Sequence, residues 1–171
     1  PTDNRSIGET AKGTEPIIRQ IFIGKNLKDQ NAFERKLYVI RKRVENEVGR
    51  LLGDTVKSFY ICSLSSRTIV YKGLLLAEQI KKFYIDLNDI NFKSAIALVH
   101  QRYSTNTFPT WDLAQPFRYL GHNGEINTIR GNRNWMKARE GVLKSDTFGK
   151  DIQKLFPIVD SESSDSASLD N

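Results

Sequence analysis

Between Asn31 and Leu52, the residues Phe33, Leu37, Ile40, Val44, Val48 and Leu51 recur at intervals of three and four. That spacing gathers them on one face of an α-helix and turns the charged runs Arg41–Arg43 and Glu45–Glu47 to solvent. Asp29 or Asn31 can cap the first turn, and Gly53 can end the helix in a left-handed conformation without a Cβ clash. The basic stretch RKLYVIRKR reads as the solvated side of this helix, not as a nucleic-acid patch.

Downstream the pattern shifts toward strands. Val56–Ser63 and Arg67–Gly73 are rich in β-branched and aromatic residues and are separated by the polar segment LSS, which predicts paired antiparallel strands. Leu74–Leu87 returns to helical spacing. Ala95–Val99 is a continuous apolar run that predicts a strand buried on both faces, with His100 and Arg102 at its exit. Pro116–Gly124 predicts another strand leaving at a Gly-rich turn. Ile126–Leu143 predicts a helix with Ile126, Ile129 and Met136 on its inner side. The Ser/Asp-rich stretch 160–171 reads, by composition alone, as a flexible linker. Strands and helices in mixed order favour an α+β fold over a doubly wound sheet.

The chain has 171 residues, 39% of them hydrophobic, enough for one domain with a sizeable core. No apolar run approaches a membrane span, and the first sixteen residues lack the apolar core of a signal peptide, so a soluble domain is expected. Cys62 is the single cysteine, which excludes an internal disulfide and any cluster held by several thiolates of this chain. The net charge of +6 is spread along the sequence and is weak support for a nucleic-acid partner.

The chemistry concentrates between His100 and Thr128. Arg102, where the apolar strand ends, can grip a carboxylate or phosphate through two parallel hydrogen bonds, although a lone arginine is more often a surface ion pair. The Asn123 side-chain amide beside the Gly124 N–H makes two donors that can converge on an oxygen gaining negative charge during acyl transfer. An Asn-Gly hairpin turn accounts for the same two residues equally well. His100 and His122 lack the spacing and neighbours of a metal pair and read as hydrogen-bonded structural histidines, and Cys62 as a small buried apolar residue. The glycines fit neither a Walker loop nor a Rossmann turn. Arg130, Arg133, Lys137 and Arg139 beside Trp135 could face RNA, but a basic amphipathic helix packed on its own domain explains them better.

Taken together, HQRYSTNTFPTWDLAQPFRYLGHNGEINTIRGNRNWMKAREG, GTEPIIRQIFIG, SSRTIVYKGLL and SESSDSASLDN resemble the amidotransferase domain of the glutamate synthases, within the class II glutamine amidotransferases. The resemblance implies an N-terminal-nucleophile hydrolase fold, a four-layer αββα sandwich of mostly antiparallel sheets that residues 1–171 contain only in part. It also implies that an amino-terminal cysteine attacks the glutamine side-chain amide while its own α-amine carries the proton. Pro1 has no thiol, and the nitrogen of Cys62 is locked in a peptide bond, so the nucleophile is expected outside this chain and the chain alone is expected to be inactive.

By the same resemblance, Arg102 holds the glutamine α-carboxylate, Asp165 receives the α-ammonium, Asn123 and Gly124 form the oxyanion hole, and Thr105 lines the pocket. The whole enzyme would pass ammonia through a tunnel to a synthase domain of the same polypeptide. There FMN and a [3Fe-4S] cluster, neither bound by this chain, would serve glutamate formation from 2-oxoglutarate. Ferredoxin would be the electron donor, or an NAD(P)H-dependent small subunit in its place. The wording of residues 1–24 is closer to cyanobacterial and plastid ferredoxin-type enzymes, and abundant Ile, Lys and Asn fit a plastid genome, which favours the chloroplast stroma over a bacterial cytoplasm. No metal site, nucleic acid or membrane is implied. The alternatives are a class II amidotransferase serving another acceptor, such as an amino sugar or phosphoribosyl substrate, and a basic nucleic-acid-binding module.

Overall fold

The computed structural model describes residues 2–53, 59–102, 108–122, 125–161 and 163–171. Its α-helices are α1 (Glu9–Gly13), α2 (Gln30–Leu52), α3 (Ile80–Phe83), α4 (Ile129–Glu140) and α5 (Asp165–Asp170), with 3₁₀ turns at Asn4–Ser6, Ala77–Gln79, Ile85–Asn88 and Gly149–Leu155.

Helix α2 starts and stops where its sequence dictates. The Asp29 carboxylate accepts the N–H groups of Asn31 and Ala32, satisfying two donors that the first turn leaves open, and Gly53 takes φ +48 at the other end. Its buried face differs from the expected one. Phe33 and Leu37 are buried as anticipated, but so are Val39, Arg41 and Lys42, whereas Val44 and Leu51 are exposed. The reason is a second packing partner: α2 lies against Gly149–Leu155, and Val39 joins Leu155 and Ile158 in an apolar cluster that Met136 of α4 also touches. Lys42 reaches over this cluster to donate to the Ile158 carbonyl at 2.8 Å, and Asn46 donates to that of Phe156 at 3.0 Å. The Arg41 guanidinium sits over the Tyr38 ring and pairs with Glu45.

A second cluster joins the amino-terminal segment to the middle of the chain. Phe83 is fully enclosed, packed edge-on against Tyr84 and tilted against Trp111, with Ile7 closing the cluster. The Trp111 indole donates to the Ala11 carbonyl at 3.2 Å, and the Asp3 N–H to that of Phe83 at 2.8 Å. Thr2 and Tyr84 form an isolated antiparallel bridge.

Among the described residues no strand longer than that bridge is present, so the expected strands over the described parts of 56–63, 67–73, 95–99 and 116–124 are corrected to irregular chain. In the first pair, serine hydroxyls take the donors that a ladder would use. The Ser63 hydroxyl accepts the Val70 N–H at 3.1 Å, that of Ser65 accepts the Arg67 N–H at 3.0 Å, and Glu34 of α2 holds Ser65 and the Ser66 N–H. The two segments still meet, through side chains. In Pro116–Gly124, the Phe117 N–H meets the Leu120 carbonyl, while the Asp170 carboxylate takes the Arg118 N–H. Ala95–Val99 departs furthest from expectation, with Ile96 and Val99 85% and 82% exposed. A strand buried on both faces needs neighbours on each side, and among the described residues this run is not covered in that way. The four-layer sandwich is therefore not assembled among them. No helix of the described residues is long and apolar enough to cross a membrane.

The packing around Trp111 gives a direct test. A Cβ on Gly73 would stand 2.4 Å from Cζ3 and 2.7 Å from Cε3 of the indole, a rigid group that also packs against Phe83. Gly73→Ala is expected to lower stability by about 1–3 kcal/mol through overpacking, measured by urea unfolding of the chain. A change below the error of that measurement would show that the indole can yield.

Candidate active site

Three segments carrying expected site residues are linked in series, the first to the second and the second to the third. In the first, the Arg102 N–H donates to His100 Nδ1 at 3.1 Å, turning the chain back on the imidazole. In the second, Gly121 lies against the same ring, so that a Cβ added there would sit 3.3 Å from His100 Cδ2. Arg102 and Asn123 each follow this touching pair by two residues. The third is α5, capped by Ser164, whose hydroxyl accepts the Ala167 N–H at 3.2 Å. Asp165 opens this helix, and its Oδ2 accepts the Ile126 N–H at 3.1 Å, which joins α5 to the chain just after the Asn123–Gly124 pair.

The expected residues are placed unequally. Thr105, Asn123 and Gly124 lie outside the described residues. The Arg102 side chain is exposed, and among the described residues no hydrogen bond or ion pair joins it to the half-buried Asp165. His100 accepts a hydrogen bond through its ring, whereas His122 is exposed and is held through its backbone. The Gln115 amide brackets His122, accepting its N–H at 2.8 Å and donating to its carbonyl at 2.5 Å. No group of three potential metal ligands occurs among the described residues.

Composition misled for the Ser/Asp stretch. Asp165–Asp170 within it is a capped helix with Ser166 fully buried and Ala167 and Ser168 nearly so, because small side chains let α5 pack closely and each buried hydroxyl can find a partner. The expected basic face of α4 is also interrupted. Trp135 is largely exposed, but the Arg133 guanidinium turns inward onto α5, donating to the Ser168 hydroxyl and the Ser163 carbonyl.

What the sequence reading missed is a set of buried cations around a cavity of about 700 Å³ whose walls include Lys42, Cys62, Lys72, Arg118 and Asp170. Lys72 donates to the Asp112 carbonyl at 2.5 Å and lies over the Tyr60 and Phe117 rings at 5.1 and 4.7 Å. Burial lowers its amine below the ordinary lysine value, and burial pushes the neighbouring Cys62 thiol up against the pull of Lys72 and Arg118. A raised thiol is a poor nucleophile at neutral pH, so Cys62 remains a structural residue, now half-buried beside a cation instead of within a strand. The available signal was a lysine or arginine inside an apolar run, as in IVYKG and PFRYL. Arg102 and Asp165 do not line this cavity.

The family model for glutamine amidotransferases class-II matches residues 1–171. The chain belongs to the class II glutamine amidotransferases. This amidotransferase chain is 56% identical over 174 residues to the glutamate synthase (NADPH) large chain of Bacillus subtilis (strain 168), covering 100% of this chain and 11% of that protein. It is 55% identical over 166 residues to the glutamate synthase (NADPH) large chain of Azospirillum brasilense, with 96% and 11% covered. It is 50% identical over 167 residues to the chloroplastic ferredoxin-dependent glutamate synthase of Oryza sativa subsp. japonica, with 96% and 10% covered. The chain thus spans about a tenth of the length of the curated relatives it matches.

Lys72 provides a pH test. Its folded-state affinity for a proton is below that of the unfolded chain, so between the lowered value and the ordinary 10.5 the unfolded state binds more protons and stability rises with pH. Replacing Lys72 by Met removes this contribution. The stability of the parent chain relative to Lys72→Met is expected to increase as pH is raised through that window, followed by urea unfolding at each pH. A difference that stays flat would mean that Lys72 titrates as a solvated amine.

Proposed function

We propose that the chain forms the glutaminase part of a glutamate synthase, hydrolysing the side-chain amide of L-glutamine to release ammonia for glutamate formation from 2-oxoglutarate. The family match over residues 1–171 carries this reading, and the identities to glutamate synthases point to the parent enzyme. The contacts of His100 with Gly121 and of Ile126 with Asp165 are consistent with it.

In the proposed mechanism, Arg102 grips the α-carboxylate of glutamine and Asp165 receives its α-ammonium, so a free amino acid is recognised at both charged ends. Thr105 lines the pocket. The thiol of an amino-terminal cysteine outside this chain attacks the side-chain amide carbon, and that cysteine's α-amine, which titrates near pH ~8, takes the proton and returns it to the leaving ammonia. The Asn123 amide and Gly124 N–H stabilise the oxyanion as it develops. Water then releases glutamate from the acyl-enzyme. Residues 1–171 would be part of one amidotransferase domain whose complete form is the four-layer αββα sandwich, a fold supported by family membership alone.

The remaining assignments concern the rest of the polypeptide. A [3Fe-4S] cluster needs several thiolates and this chain has one, so the cluster would belong to the synthase domain, where the resemblance also puts FMN. When bound there, they would carry electrons to the synthase reaction. Relatives named for NADPH and for ferredoxin both match, so ferredoxin and an NAD(P)H-dependent small subunit are both consistent electron donors. A chloroplast stroma is supported by the rice relative's name, and a bacterial cytoplasm by the two bacterial relatives.

Glutamine hydrolysis by the mature parent enzyme tests the roles. Asn123→Ala is expected to lower kcat by ~10²-fold or more, with KM little changed. Arg102→Ala and Asp165→Ala are expected to raise the glutamine KM by about 10-fold or more, the scale of a lost charge-assisted hydrogen bond. Normal KM in both would remove the amino-acid pocket, and an unchanged kcat in Asn123→Ala would return Asn-Gly to a plain turn.

A further inference from the structure

We infer that Arg133 is a positioning residue for Asp165, setting the helix that presents this carboxylate to the substrate; the inference rests on the proposed role of Asp165. Arg133 projects from α4 across α5. Its Nε donates to the Ser168 hydroxyl at 3.0 Å, and its Nη2 donates to the same hydroxyl at 2.7 Å and to the Ser163 carbonyl. Ser163 precedes Asp165 by two residues and Ser168 follows it by three, so one guanidinium spans both sides of Asp165.

Helix α5 needs such a tie. It has six residues, too few for its internal hydrogen bonds to hold it without packing. Ser164 caps its start, and the Ser168 hydroxyl that receives Arg133 donates in turn to the Asp160 carbonyl at 3.3 Å. The Asp165 carboxylate is fixed separately by the Ile126 N–H at 3.1 Å. Ile126 lies three residues before α4 begins, and Arg133 is on the second turn of α4. The run 126–133 therefore holds Asp165 at two points, its carboxylate by a backbone amide and its helix by a side-chain fork. A rigid fork with fixed donor directions suits this task, and a lysine has a single nitrogen with which to reach two acceptors.

The experiment uses the full-length parent enzyme and two substrates, glutamine and 4-carbamoylbutanoate, which is glutamine without its α-amino group. The ratio of their kcat/KM values reports recognition of the ammonium and does not respond to a uniform loss of active enzyme. Arg133→Ala is expected to reduce the ratio about 10-fold, by lowering kcat/KM for glutamine while leaving that for 4-carbamoylbutanoate within about 2-fold. Arg133→Lys should recover part of the ratio. Ser168→Ala removes one acceptor without deleting the arginine and should reduce the ratio by about 3-fold, so it serves if Arg133→Ala does not fold. Asp165→Asn separates the two levels of the reading. If it leaves the ratio intact, the role of Asp165 fails. If it collapses the ratio while Arg133→Ala, or Ser168→Ala in its place, lowers both substrates equally or neither, the positioning role of Arg133 is overturned and Asp165 stands.

Discussion

The fold depends on a guanidinium that is largely, though not fully, withdrawn from solvent. The Arg118 side chain pairs with Asp170 of α5 and Glu45 of α2 and donates to the Ile61 carbonyl, while its backbone N–H also binds Asp170. Three regions distant in sequence thus close around one residue of the Pro116–Gly124 segment. Such an arrangement gains little net stability over an apolar substitute, since removing charges from water is costly. Losing one partner, however, strands the others and costs several kcal/mol. The consequence is specificity of assembly. Helix α5 is seated by Arg118 at its carboxyl end and by Arg133 along its length, so two arginines from different elements define where the last helix lies.

This dependence separates what was legible in the sequence from what was not. Helix α2 was readable with both caps because Asp29, its two amide partners and Gly53 are local in sequence, and helical spacing needs no distant partner to declare itself. Helix α4 was readable for the same reason, although it starts at Ile129 instead of Ile126, after Thr128 adopts a left-handed φ of 60. The strands failed as local predictions. β-propensity records fitness for a pleated, half-buried surface, and whether one forms depends on neighbours that a local window cannot see. Ser63, Ser65 and Asp170 took the donors at two of these places, and at Ala95–Val99 the described residues leave Ile96 and Val99 largely exposed.

Polar residues misled in the opposite direction. Serine and aspartate in 160–171 predict a solvated linker by composition, yet Ser164 and Ser168 are used as a cap and an anchor. Arg41 and Lys42 predict a solvated helix face, yet each finds a carbonyl, carboxylate or ring within the fold. Burial of a charge is decided by partners supplied from far along the chain, which periodicity does not reveal. The candidate site was legible mainly through the long specific segment His100–Gly141, whose spare polar residues allowed more than one chemistry when read singly. The structure adds that His100 meets Gly121 and that the Ile126 N–H meets Asp165, facts of tertiary packing alone.

The bond from the Ile126 N–H to Asp165 Oδ2 also bears on the entropy of recognition. A carboxylate free to rotate must lose that freedom each time a ligand binds, and the loss weakens every complex it makes. With one oxygen anchored to the backbone, the orientation of the Asp165 side chain is selected when the chain folds, before any ligand arrives. In the role proposed for Asp165 the second oxygen would meet the α-ammonium, in a direction inherited from the main chain.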